Sequence, residues 1–380
     1  MKFSSLGLPK YLLEALAKLN FTKPYPIQSK AIPAILDHKD ILGIAKTGSG
    51  KTASYVLPTL INQENVEVPS VRHAKVLVLV PTRELAIQVA DVYKEFAAAL
   101  PFPCKTMPVY GGASVNVQMK NLHNVSVLVA TPGRLLDLLD SNAVHLSAVN
   151  TLVLDEADKM LNLGFKDEMD KILSYLPKKR QNLLFSATLS ESIENIQRVL
   201  LKNPTVIKIE EDDNNIDLIN QRAYALASEQ KGPLLRHLIT EQNMSQVLVF
   251  TSTIHQADNV VTKLNKNNIK ARAIHGKKSQ NERMEALNSF KKGRLRVLVA
   301  TDLLSRGIDI QFLPFVINYE LPRSPKDYVH RIGRTGRAEN PGEAITFVTP
   351  EDEHHFKVIQ KKMKKKVEII DADTTTELLK

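Results

Sequence analysis

The sequence predicts an α/β protein of two tandem domains, each a mostly parallel sheet with helices on both faces. Three observations carry this. Short continuous runs of Val, Leu and Ile recur along the 380 residues, and such runs fit strands buried on both faces. Helical patterns such as Arg83–Leu100 and Glu282–Lys291 separate most of them, as right-handed βαβ crossovers require. The acidic stretch Lys208-Ile-Glu-Glu-Asp-Asp-Asn-Asn215 makes a poor strand or helix and divides the runs into two sets. Domains are therefore expected at 1–208 and 217–380, joined by a linker at 209–216. The halves show no close sequence repeat; their similarity is one of layout.

The expected strands of the first half are Ile41–Ala45, Val76–Val80, Val127–Ala130, Thr151–Leu154 and Asn182–Phe185. Those of the second are Val247–Phe250, Ala271–Ile274, Val297–Ala300, Phe315–Asn318 and Ala344–Val348. Each first-half strand runs into a distinctive polar stretch: Ala45–Thr52, Pro81-Thr-Arg-Glu84, Thr131-Pro-Gly-Arg134, Asp155-Glu-Ala-Asp158 and Ser186-Ala-Thr188, in turn. In a parallel sheet all carboxyl ends share one rim, where open α/β folds bind ligands.

The stretch Ala45-Lys46-Thr47-Gly48-Ser49-Gly50-Lys51-Thr52 reads as a phosphate-binding loop between a strand and the helix-capable run Ala53–Leu57, although the general pattern has Gly where Ala45 stands. Gly48 and Gly50 allow successive N–H groups to point inward at an anion. Lys51 then reaches the outer phosphates, and the Thr52 hydroxyl is a magnesium ligand. Asp155, at a strand end, can hold magnesium against phosphate, and Glu156 can orient or deprotonate a water. The plainer reading, two acids favouring a helix start, loses weight beside Lys51 and Thr52. The stretch His330-Arg-Ile-Gly-Arg-Thr-Gly-Arg337 places Arg334 and Arg337 on one face. They are either arginine fingers for a nucleotide or a basic surface for nucleic-acid phosphates.

The formal net charge of +10 favours a polyanionic partner, most simply nucleic acid. Cys104, the single cysteine, excludes an internal disulfide or a cysteine-rich metal site and reads as inert. No signal-peptide-like segment and no bilayer-length apolar run is present, so a cytoplasmic protein is expected. The Lys361–Lys366 cluster is either an added RNA contact, sensitive to salt, or a solvated helix end.

Together these stretches resemble the DEAD-box RNA helicases of superfamily 2, over nearly the whole chain. Phe21-Thr-Lys-Pro-Tyr-Pro-Ile-Gln28 matches the Q motif, with Asn20 where Gly is usual; Ala45–Thr52 matches motif I. Pro81–Leu85, Gly111-Gly112 and Thr131–Arg134 match RNA-binding motifs, Asp155–Asp158 is the name motif and Ser186–Thr188 is motif III. Val249-Phe-Thr251, Gln280-Asn-Glu-Arg283, Ala300-Thr-Asp302 with Ser305-Arg-Gly-Ile-Asp309, and His330–Arg337 match the remaining motifs. Asn162–Lys166 and Arg180–Thr188 look most like bacterial RhlE-type members.

The resemblance implies two RecA-like domains, ATP and Mg2+ as cofactors, and RNA as partner of a monomeric enzyme. It makes Gln28 the adenine reader, with Phe21 stacking on the base and Phe3 supporting that pocket, and puts Thr47, Gly48, Ser49, Gly50, Lys51 and Thr52 on the phosphates. Thr52 and Asp155 hold the metal, Glu156 activates water, Arg334 and Arg337 are fingers, and Asp309 touches the ribose. Arg83, Gly112, Thr131, Arg134, Thr251, Arg283 and Thr301 contact the RNA backbone, largely without regard to sequence. Asp158, Ser186, Thr188 and His330 couple the domains. The resulting expectation is RNA-stimulated ATP hydrolysis driving local, non-processive remodelling of short duplexes. Two alternatives share much of this sequence: a DNA translocase on the same domains, and an ATP-gated RNA clamp with low turnover.

Overall fold

The computed structural model describes residues 1–45, 48–64, 72–209, 219–301, 313–336 and 342–372. The chain forms two compact units, Met1–Glu210 and Glu211–Lys380. The first holds β1 (Ile41–Ile44), β2 (Val76–Leu79), β3 (Thr106–Val109), β4 (Val127–Ala130), β5 (Thr151–Leu154), β6 (Gln181–Ser186) and β7 (Thr205–Lys208). Their order is β3-β4-β2-β5-β6-β1-β7. The second holds β8 (Ile219–Ala225), β9 (Val247–Thr251), β10 (Ala271–Ile274), β11 (Val297–Thr301), β12 (Phe315–Asn318), β13 (Gly342–Val348) and β14 (Glu368–Asp371). Their order is β10-β11-β9-β12-β13-β8-β14. Adding seven to every strand number of the first sheet reproduces the second. All pairs in both are parallel.

Both faces of each sheet are covered. Along β2, Val76 and Val78 enter one apolar cluster while Leu77 and Leu79 enter another. Along β9, Val247 and Val249 divide in the same way from Leu248 and Phe250. The two-residue period of a strand sends alternate side chains to opposite faces, so a continuous apolar run is what two covered faces demand.

The ten expected strands are present, with ends shifted by a residue or two. Four others were not anticipated: β3, β7, β8 and β14. Three of these are edge strands, where one side faces solvent and composition is mixed; β7, for example, exposes Val206 and Lys208. Pro108 lies within β3, an edge position where a missing N–H costs no ladder bond. Within the expected linker, Ile209 still donates to the Ile44 carbonyl at 2.9 Å; residues 210–216 lie outside the described residues.

Candidate nucleotide and RNA site

β1 delivers the chain to the carboxyl rim, where Ala45 N–H bonds the Ser186 carbonyl at the end of β6. Gly48 and Gly50 both have positive φ, +81° and +85°, and Gly50 caps the helix Lys51–Ile61. A Cβ on Gly50 would lie 2.5 Å from Gln28 Nε2, so only glycine fits. The Gln28 amide explains the crowding: Nε2 donates to the Gly50 carbonyl at 3.1 Å, and Oε1 accepts from Tyr25 N–H at 2.9 Å. The expected adenine reader is thus tied to the phosphate loop. Phe21 packs edge-on against Phe3 and Phe96. Lys51 is buried and donates from Nζ to the Ala45 carbonyl. Thr47 lies outside the described residues.

β5 is followed by Asp155, 2% exposed, and Glu156, 6% exposed. Burial raises the pKa of both carboxyls; Lys51 and the Tyr55 hydroxyl oppose it at Asp155, and Lys159 opposes it at Glu156. The Tyr55 hydroxyl donates to Asp155 Oδ2 at 2.8 Å, and Lys159 Nζ lies 2.7 Å from Glu156 Oε1. The other oxygens, Asp155 Oδ1 and Glu156 Oε2, are buried and have no hydrogen-bond partner among the described residues. Glu156 also sits at φ +54°, a left-handed conformation that a side chain disfavours.

Such orphaned acceptors are costly unless something completes them. Among the described residues no three His, Cys, Asp or Glu cluster as a metal cage. One open carboxylate oxygen, a threonine hydroxyl and phosphate oxygens suit a hard cation that keeps several waters, as magnesium does. Beyond the pair, Asp158 accepts from Thr188 Oγ1 at 3.1 Å, and Ser186 Oγ donates to the Thr188 carbonyl at 2.8 Å. Three of the four expected coupling residues therefore meet within this unit. His330, the fourth, is an exposed residue of the other unit.

The residues expected at RNA divide into two sorts. The Arg83 guanidinium lies against Gly112, whose φ is +78°, where a side chain would collide with it. The Arg134 guanidinium is buried, bonding the Ala113 carbonyl through two nitrogens at 3.1 Å and Asp137 at 3.2 Å. It shapes the glycine loop from within. Thr131 precedes the helix Pro132–Asp140. In the second unit, Thr251 and Thr301 are buried register partners at the ends of β9 and β11. Arg283 sits on the helix Gln280–Lys291 and donates to Gln280 Oε1 at 2.5 Å.

The arginine-rich stretch is also divided. Arg331 is a core residue: it bonds Asn318 Oδ1 and the Glu320 carbonyl, and lies 4.9 Å from the Phe250 ring centroid. Arg334 is buried just past the helix Pro325–Ile332. Arg337 and Asp309 lie outside the described residues. Cys104 is partly buried, and burial pushes its thiol up to about 11, in keeping with an inert role.

Sequence reasoning passed over Tyr55 and Lys159. Lys159 was findable: it comes three residues, one helical turn, after Glu156. Tyr55 was not, because its contact with Asp155 spans a hundred residues of chain.

The first unit matches the DEAD/DEAH box helicase family over residues 25–196, and the second matches the helicase conserved C-terminal domain over residues 230–339. The DEAD-box ATP-dependent RNA helicase RhpA of Helicobacter pylori is 40% identical over 376 residues, covering 99% of this chain and 75% of that one. The chain belongs to the DEAD-box ATP-dependent RNA helicases.

CshA of Bacillus subtilis, another such helicase, is 38% identical over 379 residues with the same shares of each chain. S. cerevisiae Dbp5, solved with RNA and ADP BeF3, superposes with a TM-score of 0.84 at 30% identity, covering 99% of this chain and 97% of that one. A DEAD box protein of Methanococcus jannaschii gives 0.56 at 37% identity, covering 97% and 99%. Both units are RecA-like, and the chain is an ATP-hydrolysing RNA helicase of this family. Asn20, which stands where the resemblance led us to expect Gly, sits at φ +62°, a conformation asparagine tolerates better than most residues.

Proposed function

We propose that this DEAD-box helicase uses magnesium-bound ATP to separate short RNA duplexes locally, without long-range translocation. The observation that carries the chemistry is the pair of buried, open oxygens, Asp155 Oδ1 and Glu156 Oε2, beside the phosphate loop. Asp155 and Thr52 hold magnesium, whose charge offsets that of the β and γ phosphates. Glu156 Oε2 takes the proton of the attacking water, and Lys51 and the loop N–H groups bind phosphate. Gln28 selects adenine and sets the loop through Gly50, and Phe21 stacks on the base. Asp309 contacts the ribose.

Arg334 and Arg337 complete the site from the second unit when ATP and RNA bring the units together. Asp158, Ser186, Thr188 and His330 relay that closure. Arg83, Thr131, Thr251, Arg283 and Thr301 meet the RNA backbone; Gly112 gives it close approach and Arg134 holds that loop in shape. Bending one strand in the closed state disrupts a few stacked steps at roughly 1.4 kcal/mol each on the DNA scale. That is within reach of one binding event, whereas long duplexes need many cycles. We place the helicase in the cytoplasm, where its RNA substrates are, as a monomer of the RhlE type.

The test is ATP hydrolysis with and without single-stranded RNA, in the wild type and in Glu156→Gln. RNA stimulation that falls about 10³-fold in the variant supports the reading. Robust turnover without RNA breaks the coupling, and no turnover in either condition points to an ATP-gated clamp. Efficient separation of long duplexes at low enzyme concentration overturns the non-processive part.

A further inference from the structure

We propose that Tyr55 and Lys159 are positioning residues that each engage one oxygen of a catalytic carboxylate and thereby decide which oxygen is left for chemistry. The proposal rests on the roles of Asp155 and Glu156 given above. Tyr55 is fully buried on the helix that begins at Lys51. Its hydroxyl donates to Asp155 Oδ2 at 2.8 Å. The phenol therefore holds one oxygen of a carboxylate assigned to the metal, and among the described residues Asp155 Oδ1 is left without a partner.

Lys159 repeats the arrangement one residue further on. Its Nζ takes Glu156 Oε1 at 2.7 Å, with both side chains mostly buried, and Glu156 Oε2 is left open. A carboxylate with two equivalent oxygens can rotate about its terminal torsion, which is broad. A fixed donor on one oxygen removes that freedom and aims the other. Groups that orient a metal ligand commonly contribute ten- to a hundredfold to metal affinity. The assignment explains why the ring packed against Phe185 and Tyr93 carries a hydroxyl: an unpaired buried hydroxyl is unfavourable, and here it has a carboxylate to serve.

Binding of a fluorescent ADP analogue, with magnesium and in EDTA, tests the first half without relying on turnover. In Tyr55→Phe, which removes only the hydroxyl, the tightening by magnesium should shrink about tenfold while affinity in EDTA stays as in the wild type. Unchanged tightening, or an equal loss in both conditions, overturns the role. Asp155→Asn serves as the reference: if it keeps the tightening, the metal reading of Asp155 fails, and if it loses the tightening while Tyr55→Phe keeps it, only the present inference fails. For Lys159, the kcat of RNA-stimulated hydrolysis in Lys159→Met should fall about tenfold or more at unchanged KM for ATP, with Lys159→Arg retaining most of it. An unchanged kcat, a rise in KM alone, or no rescue by arginine overturns it.

Discussion

After β1 the chain passes through Gly48 and Gly50 into a helix that starts at Lys51; after β8, the equivalent strand, it passes through Ala227, Ser228 and Glu229 into a helix that starts at Lys231. Both lysines are buried. Lys51 lies near the Asp155 carboxylate. Lys231 lies 5.9 Å from the ring centroid of Tyr319, which succeeds β12 as Asp155 succeeds β5, and 4.0 Å from Asp352 Oδ2. The next residues correspond too. Glu156 keeps Oε2 open, whereas Glu320 Oε2 accepts the Ser252 N–H at 2.6 Å. One topology thus carries two kinds of rim. In the first, glycines make a concavity and acceptors are left incomplete; in the second, side chains fill the turn and the corresponding groups have partners. The fold supplies the same positions twice, and among the described residues the two rims differ in unmet hydrogen-bonding capacity.

The largest expected break in this symmetry concerns the lysines. Lys51→Ala should weaken ATP binding about a hundredfold, while Lys231→Ala should leave it within about twofold and instead destabilise the second unit; titration and thermal melting on both variants decide. A loss of ATP affinity in Lys231→Ala would undo the division of labour. Next, Glu320→Gln gives up a charge-assisted bond and should cost about 1–2 kcal/mol in denaturant unfolding, with nucleotide affinity intact.

A smaller effect of opposite sign belongs to Asp155. Burial raises its pKa, with Lys51 and Tyr55 opposing. A carboxyl whose folded pKa exceeds its unfolded one adds stability below the ordinary carboxylate range and loses it as pH rises through the raised value. The nucleotide-free Asp155→Asn protein should therefore be more stable than the wild type by about 1 kcal/mol near neutrality, and the difference should vanish below about pH 4. The smallest is Asn20→Gly, expected to stabilise by a few tenths of a kcal/mol because glycine adopts φ +62° without strain.

The parts legible in the sequence were those enforced by local chemistry. Val76-Leu-Val-Leu79 needs apolar cover on both faces wherever it lies, and Gly50 and Lys51 announce a phosphate loop within eight residues. The edge strand β14, Glu368-Ile-Ile-Asp371, carries no such signature, since its environment is half solvent. The arginine stretch shows the same limit inside the site. Nothing in His330–Arg337 alone says that Arg331 is a core residue stacked on Phe250, because that depends on β9 and β12 lying side by side. Likewise Arg134, expected at RNA, turns inward to Ala113, a partner set by the neighbouring strand rather than by its own motif.

The position of β1 has a consequence for biosynthesis. It is flanked by β6 and β7, and β6 comes about 140 residues later in the chain. At about 5–20 residues per second, the segment carrying the phosphate loop leaves the ribosome roughly 7–28 s before its first strand partner exists. Until then Ala45 has no Ser186 to hold it and the loop has no rim. An unfinished chain therefore cannot form the ATP site, and the ability to engage nucleotide arrives only when the first unit is whole.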